Sequence, residues 1–253
     1  MNLDNPQRAI NQFMMGKRIG LIGAMDEEIR QLRSELQMES TEERAGITFY
    51  IGEINGSSVV LCRSGVGKVN AAVTTQILID AFEVSHILFT GIAGALDKSL
   101  QVGDMVISSS AMQHDMDATA LGFPKGQIPM QSTSSIFQAD SGLVELAFRS
   151  AERILSCRIL KGRILSGDQF IADLHTAQTL YDEFTGACVE MEGAAVAQVA
   201  TMSEIPFVII RAISDNANEQ ASMSFTEFTE LASKQSHILV MEMLSSWNDY
   251  NKI

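Results

Sequence analysis

Short continuous apolar runs alternate along the chain with longer stretches in which apolar residues recur every three or four positions. The first pattern suits strands buried on both faces, and the second suits helices that turn one face to a core. Residues 18–23 (RIGLIG) predict a strand, and 26–37 a helix with Ile29, Leu32 and Leu36 on one side. Residues 47–54 and 57–63 predict two strands joined through Asn55-Gly56, a dipeptide suited to a tight hairpin turn. After Ser64-Gly65-Val66-Gly67 comes a helical run to about residue 83. A strand at 86–90 then leads into Gly91-Ile92-Ala93-Gly94, and another lies at 104–109. The stretch 111–139, with Gly122, Pro124, Gly126 and Pro129, is irregular and too long for a plain connection, so a lid or an interface is expected there. Beyond it, helical patterns at 140–156, 173–184, 192–203 and about 224–247 alternate with strands at 158–166, 187–190 and 207–213.

Such alternation predicts an α/β fold, a three-layer single domain whose mixed, mostly parallel central β-sheet is flanked by helices. Residues 1–16 fit neither pattern and contain no long apolar run, so they are expected to be an N-terminal extension rather than a signal peptide. Met14 and Met15 stand as alternative translation starts ahead of the domain proper, residues 17–253.

Composition narrows the partners. Apolar residues make up 46% of the chain, enough for a full core, and the formal charge is −13. That field repels polyphosphates and anionic surfaces, so neither nucleic acid nor a membrane is an expected partner; a small neutral or zwitterionic substrate is compatible. No apolar run approaches the roughly 20 residues needed to span a bilayer. Cys62, Cys157 and Cys188 are odd in number and widely spaced, which predicts buried reduced thiols in a cytoplasmic protein. His86, His114, His175 and His237 show no ligand spacing, and no metal or other cofactor is expected.

In open α/β sheets, ligands bind beyond the carboxyl ends of strands. Four loops occupy that place. Gly23-Ala24-Met25-Asp26-Glu27-Glu28 puts three acids in a helix's first turn, where they oppose the macrodipole or supply a general base. Ser64-Gly65-Val66-Gly67-Lys68 and Thr90-Gly91-Ile92-Ala93-Gly94 permit close backbone approach to a ligand, but match neither phosphate-loop nor dinucleotide spacing. In Glu190-Met191-Glu192, an extended backbone would point both carboxylates to one side, where they could take ribose hydroxyls; the alternative is a solvated helix N-terminus at which acids are favourable. Finally, Arg211 interrupts the apolar strand Phe207–Ile213 and needs a carboxylate partner, with Glu28 or Glu192 as candidates. Asp215 lies just past that strand's end.

Seven ordered blocks, GAMDEE, SGVGKVNAA, TGIAGAL, VGDMVIS, SGDQFI, VEMEGAAVA and RAISDNA, resemble 5′-methylthioadenosine/S-adenosylhomocysteine nucleosidases, a family within the purine nucleoside and uridine phosphorylase superfamily. The resemblance runs from residue 17 to about 247. It implies a nucleoside phosphorylase-like fold and hydrolysis of the N-glycosidic bond of both nucleosides, releasing adenine and a 5-thio-substituted ribose in methionine salvage. It further implies that Asp215 protonates the departing adenine with Ser214 orienting it, that Glu192 binds the ribose hydroxyls with Met191 against the sugar, and that Glu28 activates water with Arg211 beside it. Phe170 and Ile171 would read the base edge by main chain. Phe225, within Ser224-Phe225, would line the base or 5′ pocket, and Val66, Ile92 and Glu190 would complete the substrate-binding set. Residues 112–130 would cross to a neighbouring subunit's 5′ pocket, implying a homodimer. Two positions depart from the family pattern: Ile92 stands where a hydroxyl residue is usual, and Leu121 where an aromatic is common. The alternatives are a phosphate-dependent purine or uridine phosphorylase, a hydrolase of a related nucleoside (aminodeoxyfutalosine or 5′-deoxyadenosine), and a non-catalytic nucleoside sensor.

Overall fold

In the computed structural model, which describes residues 18–131, 134–217 and 221–250, the apolar runs become strands of one ten-stranded mixed sheet. The expected extension, residues 1–16, lies outside the described residues. Strands β1 (Ile19–Gly23), β4 (Ser57–Arg63), β5 (His86–Ala95) and β10 (Phe207–Asp215) run parallel through the centre. Every residue of β1, β5 and β10 is buried, which is why these segments carry continuous apolar runs rather than an alternation.

The side chains of β10 divide with period two. Val208, Ile210 and Ala212 pack among helices α1 (Asp26–Glu35), α3 (Ser141–Ile154) and α6 (Ala221–Ser245). Phe207, Ile209 and Ile213 pack on the other face, with α2 (Lys68–Phe82) and α5 (Gly193–Met202). Arg211 falls in the second set by register. Helix α4 (Leu174–Phe184) closes a third, smaller cluster against β9 (Gly186–Glu190), and α7 (Trp247–Tyr250) ends the described chain. The expected mixed sheet with helices on both faces is therefore present.

Several boundaries differ from the sequence expectation for physical reasons. Strand β5 continues through Gly91-Ile92-Ala93-Gly94 instead of ending in a glycine loop. Its extension pairs with β9, and with β8 (Ile159–Ser166), β6 (Met105–Gln113) and β10 it closes a five-strand circuit. The glycines serve close approach, not turning. A Cβ at Gly91 would lie 2.6 Å from a Glu28 carboxylate oxygen, and one at Gly94 would lie 2.8 Å from Asp215. Strand β2 (Gln37–Arg44) has no sequence signal, since all eight residues of QMESTEER are exposed; it is an edge strand held by backbone pairing to β3 (Ile47–Ile54). The Asn55-Gly56 hairpin forms as expected, both residues at positive φ.

Within the irregular stretch 111–139, β6 runs on to Gln113, a single 3-10 turn occupies Thr119–Leu121 and β7 (Ile136–Gln138) pairs back onto β6. Cys62 and Cys188 are buried, and burial pushes both thiols up; Cys157, by contrast, is only partly covered. No helix among the described residues is long and apolar enough to cross a membrane.

Candidate active site

The carboxyl ends of β1, β5, β9 and β10 surround a cleft of about 220 Å³. Glu28, Glu192, Asp215, Met191, Phe170, Ile171, Ser214, Phe225, Val66, Ile92 and Glu190 all line it. Arg211 does not; it lies behind the wall, 1% exposed.

Glu28 occupies the first turn of α1. Its carboxylate folds back so that Oε2 accepts from the amides of Ala24 (2.6 Å) and Met25 (2.9 Å), and Oε1 accepts from Ile92 (3.1 Å). Of the three acids in that turn only this one is buried, while Asp26 is exposed. Burial raises its pKa, and Arg211 and the three amides counter only part of that.

Asp215 ends β10, two residues beyond the expected strand boundary. One of its oxygens accepts from the Ala217 amide (2.8 Å) and the other from Ser214 Oγ (2.9 Å). Burial raises its pKa, opposed by those two donors. Phe207 takes no part in that burial, since it stands at the far end of the strand.

Glu190 and Glu192 part company because the backbone turns at Met191 into α5 and does not stay extended. Glu190 turns inward. It accepts from the Gly193 amide (2.8 Å) and from Ser166 Oγ, and forms a 2.6 Å ion pair with Arg211 Nη2. The partner of Arg211 is thus Glu190, not Glu28 or Glu192: the carboxylate ending β9 lies on the same sheet face as the guanidinium. Arg211 also donates to the carbonyl of Ile210 (3.1 Å) and lies 4.0 Å from the centre of the Phe89 ring. Burial would lower its pKa, but Glu190 and Glu28 outweigh burial and raise it. Glu192 stands at the N-cap position of α5, but its side chain makes no capping bond there and accepts instead from the Gly67 amide at 2.7 Å. Burial and the neighbouring charge of Glu190 push its pKa up to about 8.

The apolar walls are Phe170 and Phe225, edge to face at 5.6 Å between ring centres, with Ile171, Met191 and Val66. The side chain of Ser224 lies outside the described residues. Ile92 is 6% exposed, and its main-chain amide donates to Glu28. Sequence reasoning did not single out Ala24, Met25, Ala93, Gly94, Gln169 and Val189, which also line the cleft. They sit inside or beside the same motifs, and their small or main-chain contributions leave no chemical signature. No Lys, Arg or His lines the cleft among the described residues, and no cluster of metal-binding side chains occurs there.

A family model described as the phosphorylase superfamily matches residues 18–245. A 5′-methylthioadenosine/S-adenosylhomocysteine nucleosidase of Psychromonas ingrahamii is 43% identical over 91% of this chain and 100% of its own. The solved structure of such a nucleosidase from Colwellia psychrerythraea, in complex with adenine, superposes with a TM-score of 0.86 at 40% identity, covering 91% of this chain and 95% of that one. A futalosine hydrolase of Helicobacter pylori superposes with a TM-score of 0.87 at 34% identity, covering 92% and 99%.

Proposed function

The chain belongs to the phosphorylase superfamily and, within it, to the 5′-methylthioadenosine/S-adenosylhomocysteine nucleosidases, and from that premise we propose that its cleft hydrolyses the N-glycosidic bond of those two nucleosides. The observation that carries the reading is the convergence of Glu28, Glu192 and Asp215, from different strand ends, on one cleft lined by no basic side chain among the described residues.

Adenine leaves poorly as an anion, and a proton placed on its imidazole nitrogen makes it a neutral leaving group. Asp215 is the donor: burial raises its pKa, so the acid form persists to higher pH than in a free aspartate. Ser214 fixes the carboxyl orientation. As the bond lengthens, positive charge grows on the sugar, and Glu192 faces it as an anion. The ribose hydroxyls donating to Glu192, together with that growing charge, favour ionisation of a group otherwise held near pKa 8. Glu28, anchored on the main chain, takes the proton of the attacking water. Arg211 acts on Glu28 from behind through its charge rather than by touching the water.

The apolar Ile92 and the absence of a basic side chain from the cleft lining among the described residues favour water over phosphate as nucleophile. Loop 112–130 exposes Leu121 (72%) and Met130 (94%), and Val69 (73%) is exposed at the start of α2. These support a homodimer in which that loop completes the 5′ pocket of the neighbour. The similarity to a futalosine hydrolase makes a related 5′-substituted adenosine the second reading. Adenine release from a panel of 5′-substituted adenosines, in phosphate-free buffer, tests both. Release from methylthioadenosine is expected; a strict requirement for phosphate would make the protein a phosphorylase.

A further inference from the structure

Beside the cleft, three residues from three different strand ends form a closed hydrogen-bonded ring. Lys68 begins α2, Asp115 follows β6 and Asp168 follows β8. Lys68 Nζ donates to Asp115 Oδ1 at 2.6 Å, the Asp168 amide donates to Asp115 Oδ2 at 3.0 Å, and the Lys68 amide donates to Asp168 Oδ1 at 2.9 Å. Lys68 Nζ also donates to the buried Gln113 Oε1 at 3.1 Å, whose amide group reaches Gln198 on α5 at 2.6 Å.

None of the three side chains lines the cleft, yet Lys68 and Asp168 are each chained to something that does, and Asp115 joins the two. Gly67, adjacent to Lys68, gives its amide to Glu192 at 2.7 Å. It does so at φ +97°, where a Cβ would stand 3.3 Å from Asp168 Oδ1. Gln169, Phe170 and Ile171 follow Asp168 directly and form one wall. Asp115 opens the irregular loop toward Leu121.

We propose that Lys68, Asp115 and Asp168 are positioning residues that hold the sugar-side amide of Gly67 and the base-side wall Gln169–Ile171 at a fixed separation. This inference rests on the nucleosidase reading given above. An isolated surface ion pair contributes little. Here the pair is only 17% and 24% exposed, and each carboxylate also takes a main-chain amide, so the ring fixes backbone as well as side chains. With the ring open, the Gly67 amide drifts from Glu192, and the wall moves relative to the sugar. Glu192 then loses its one main-chain donor but keeps Glu190, Arg211 and Glu28 as charged neighbours. Loss of a donor to a carboxylate moves its titration upward.

The test compares Lys68→Met, Lys68→Arg and Asp168→Ala with the unaltered protein. It measures kcat and KM for methylthioadenosine without phosphate across the pH range, with the Tm of each. Both disruptive variants are expected to raise KM roughly tenfold or more, by analogy with the cost of small misplacements in active sites. They should also move the acid limb of kcat/KM to higher pH, while Lys68→Arg restores most of both. Wild-type KM and an unmoved limb in Lys68→Met and Asp168→Ala, whatever their Tm, would overturn the proposal. Should Lys68→Met fail to fold, Asp168→Ala decides alone, because its side chain is exposed. If the unaltered protein shows no phosphate-free turnover, the nucleosidase reading fails; the ring is then judged by adenine affinity in the same variants, a roughly tenfold loss upholding it and unchanged affinity overturning it.

Discussion

Two groups of buried charge share one end of the sheet and differ in how completely they are satisfied. At the back of the cleft Glu190 reaches inward to the fully buried Arg211, and the two are closed upon each other, with Ser166, the Gly193 amide and main-chain carbonyls filling most of the remaining positions. On the wall, Glu28, Glu192 and Asp215 have main-chain or hydroxyl donors but no cation within ion-pair distance among the described residues. A charge fully paired in the interior mostly holds structure, because losing its partner strands it in a poor solvent. A carboxyl group half satisfied and desolvated has its pKa displaced and its free lone pairs aimed at a ligand. The contrast separates framework from chemistry within a few ångströms.

The sharpest break is at Asp215. Asp215→Asn preserves shape and an oxygen to accept from the Ala217 amide, reverses the Ser214 bond so that the new NH2 group donates to the hydroxyl, and removes the transferable proton. Turnover should fall by roughly 10²–10⁴ with nucleoside binding retained. Adenine release and equilibrium binding, measured side by side, check this, and a fully active variant would remove Asp215 from the mechanism. On the framework side, Arg211→Met leaves Glu190 buried without its cation, and a loss of roughly 3–5 kcal/mol of stability is expected. Pairing it with Glu190→Gln in a double-mutant cycle in denaturant should recover part of that loss; strict additivity would show the two residues to be uncoupled.

Glu192 bears on both sides of the comparison. Its folded-state pKa, about 8, lies above that of an unfolded glutamate, near ~4.3. The folded protein therefore holds a proton that the unfolded chain releases. The associated stability is complete below the unfolded pKa and is lost as pH rises through about 8. Glu192→Gln should flatten that decline, so its Tm advantage over the unaltered protein grows from pH 5 to pH 9. A constant difference across that range would contradict the assigned titration. The smallest kinetic effect is expected at Ile92. Ile92→Ser keeps the amide that holds Glu28, so the rate should change by less than roughly tenfold. The lost packing should cost roughly 1–3 kcal/mol in thermal or denaturant unfolding. A collapse of turnover would mean that the side chain, not the main chain, positions the nucleophile.

Much of this arrangement is legible in the amino-acid order. The central strands announce themselves because burial on both faces demands unbroken apolar runs, and the acids stand out because they follow those runs immediately. Strand β2 is illegible for the opposite reason: an edge exposed on both faces imposes no hydrophobic period. The glycines at 91 and 94 look like a loop because sequence cannot tell a turn from a strand that admits a carboxylate at 2.6–2.8 Å from where a Cβ would be. The pairing of Arg211 is misread because it depends on a turn at Met191. The ring of Lys68, Asp115 and Asp168 joins residues 47 and 53 positions apart, beyond the reach of any local pattern.

By itself, then, the order of residues settles the buried central strands and the amphipathic helices, which family the chain resembles and which residue types gather at strand ends. Those properties follow from local periodicity and from short motifs. Only the folded chain decides which carboxylate meets the arginine, which stay half satisfied, and how far each pKa moves. These depend on burial and on distances of about 3 Å between residues far apart in sequence, and electrostatic energies in a poorly solvated interior change steeply over such distances.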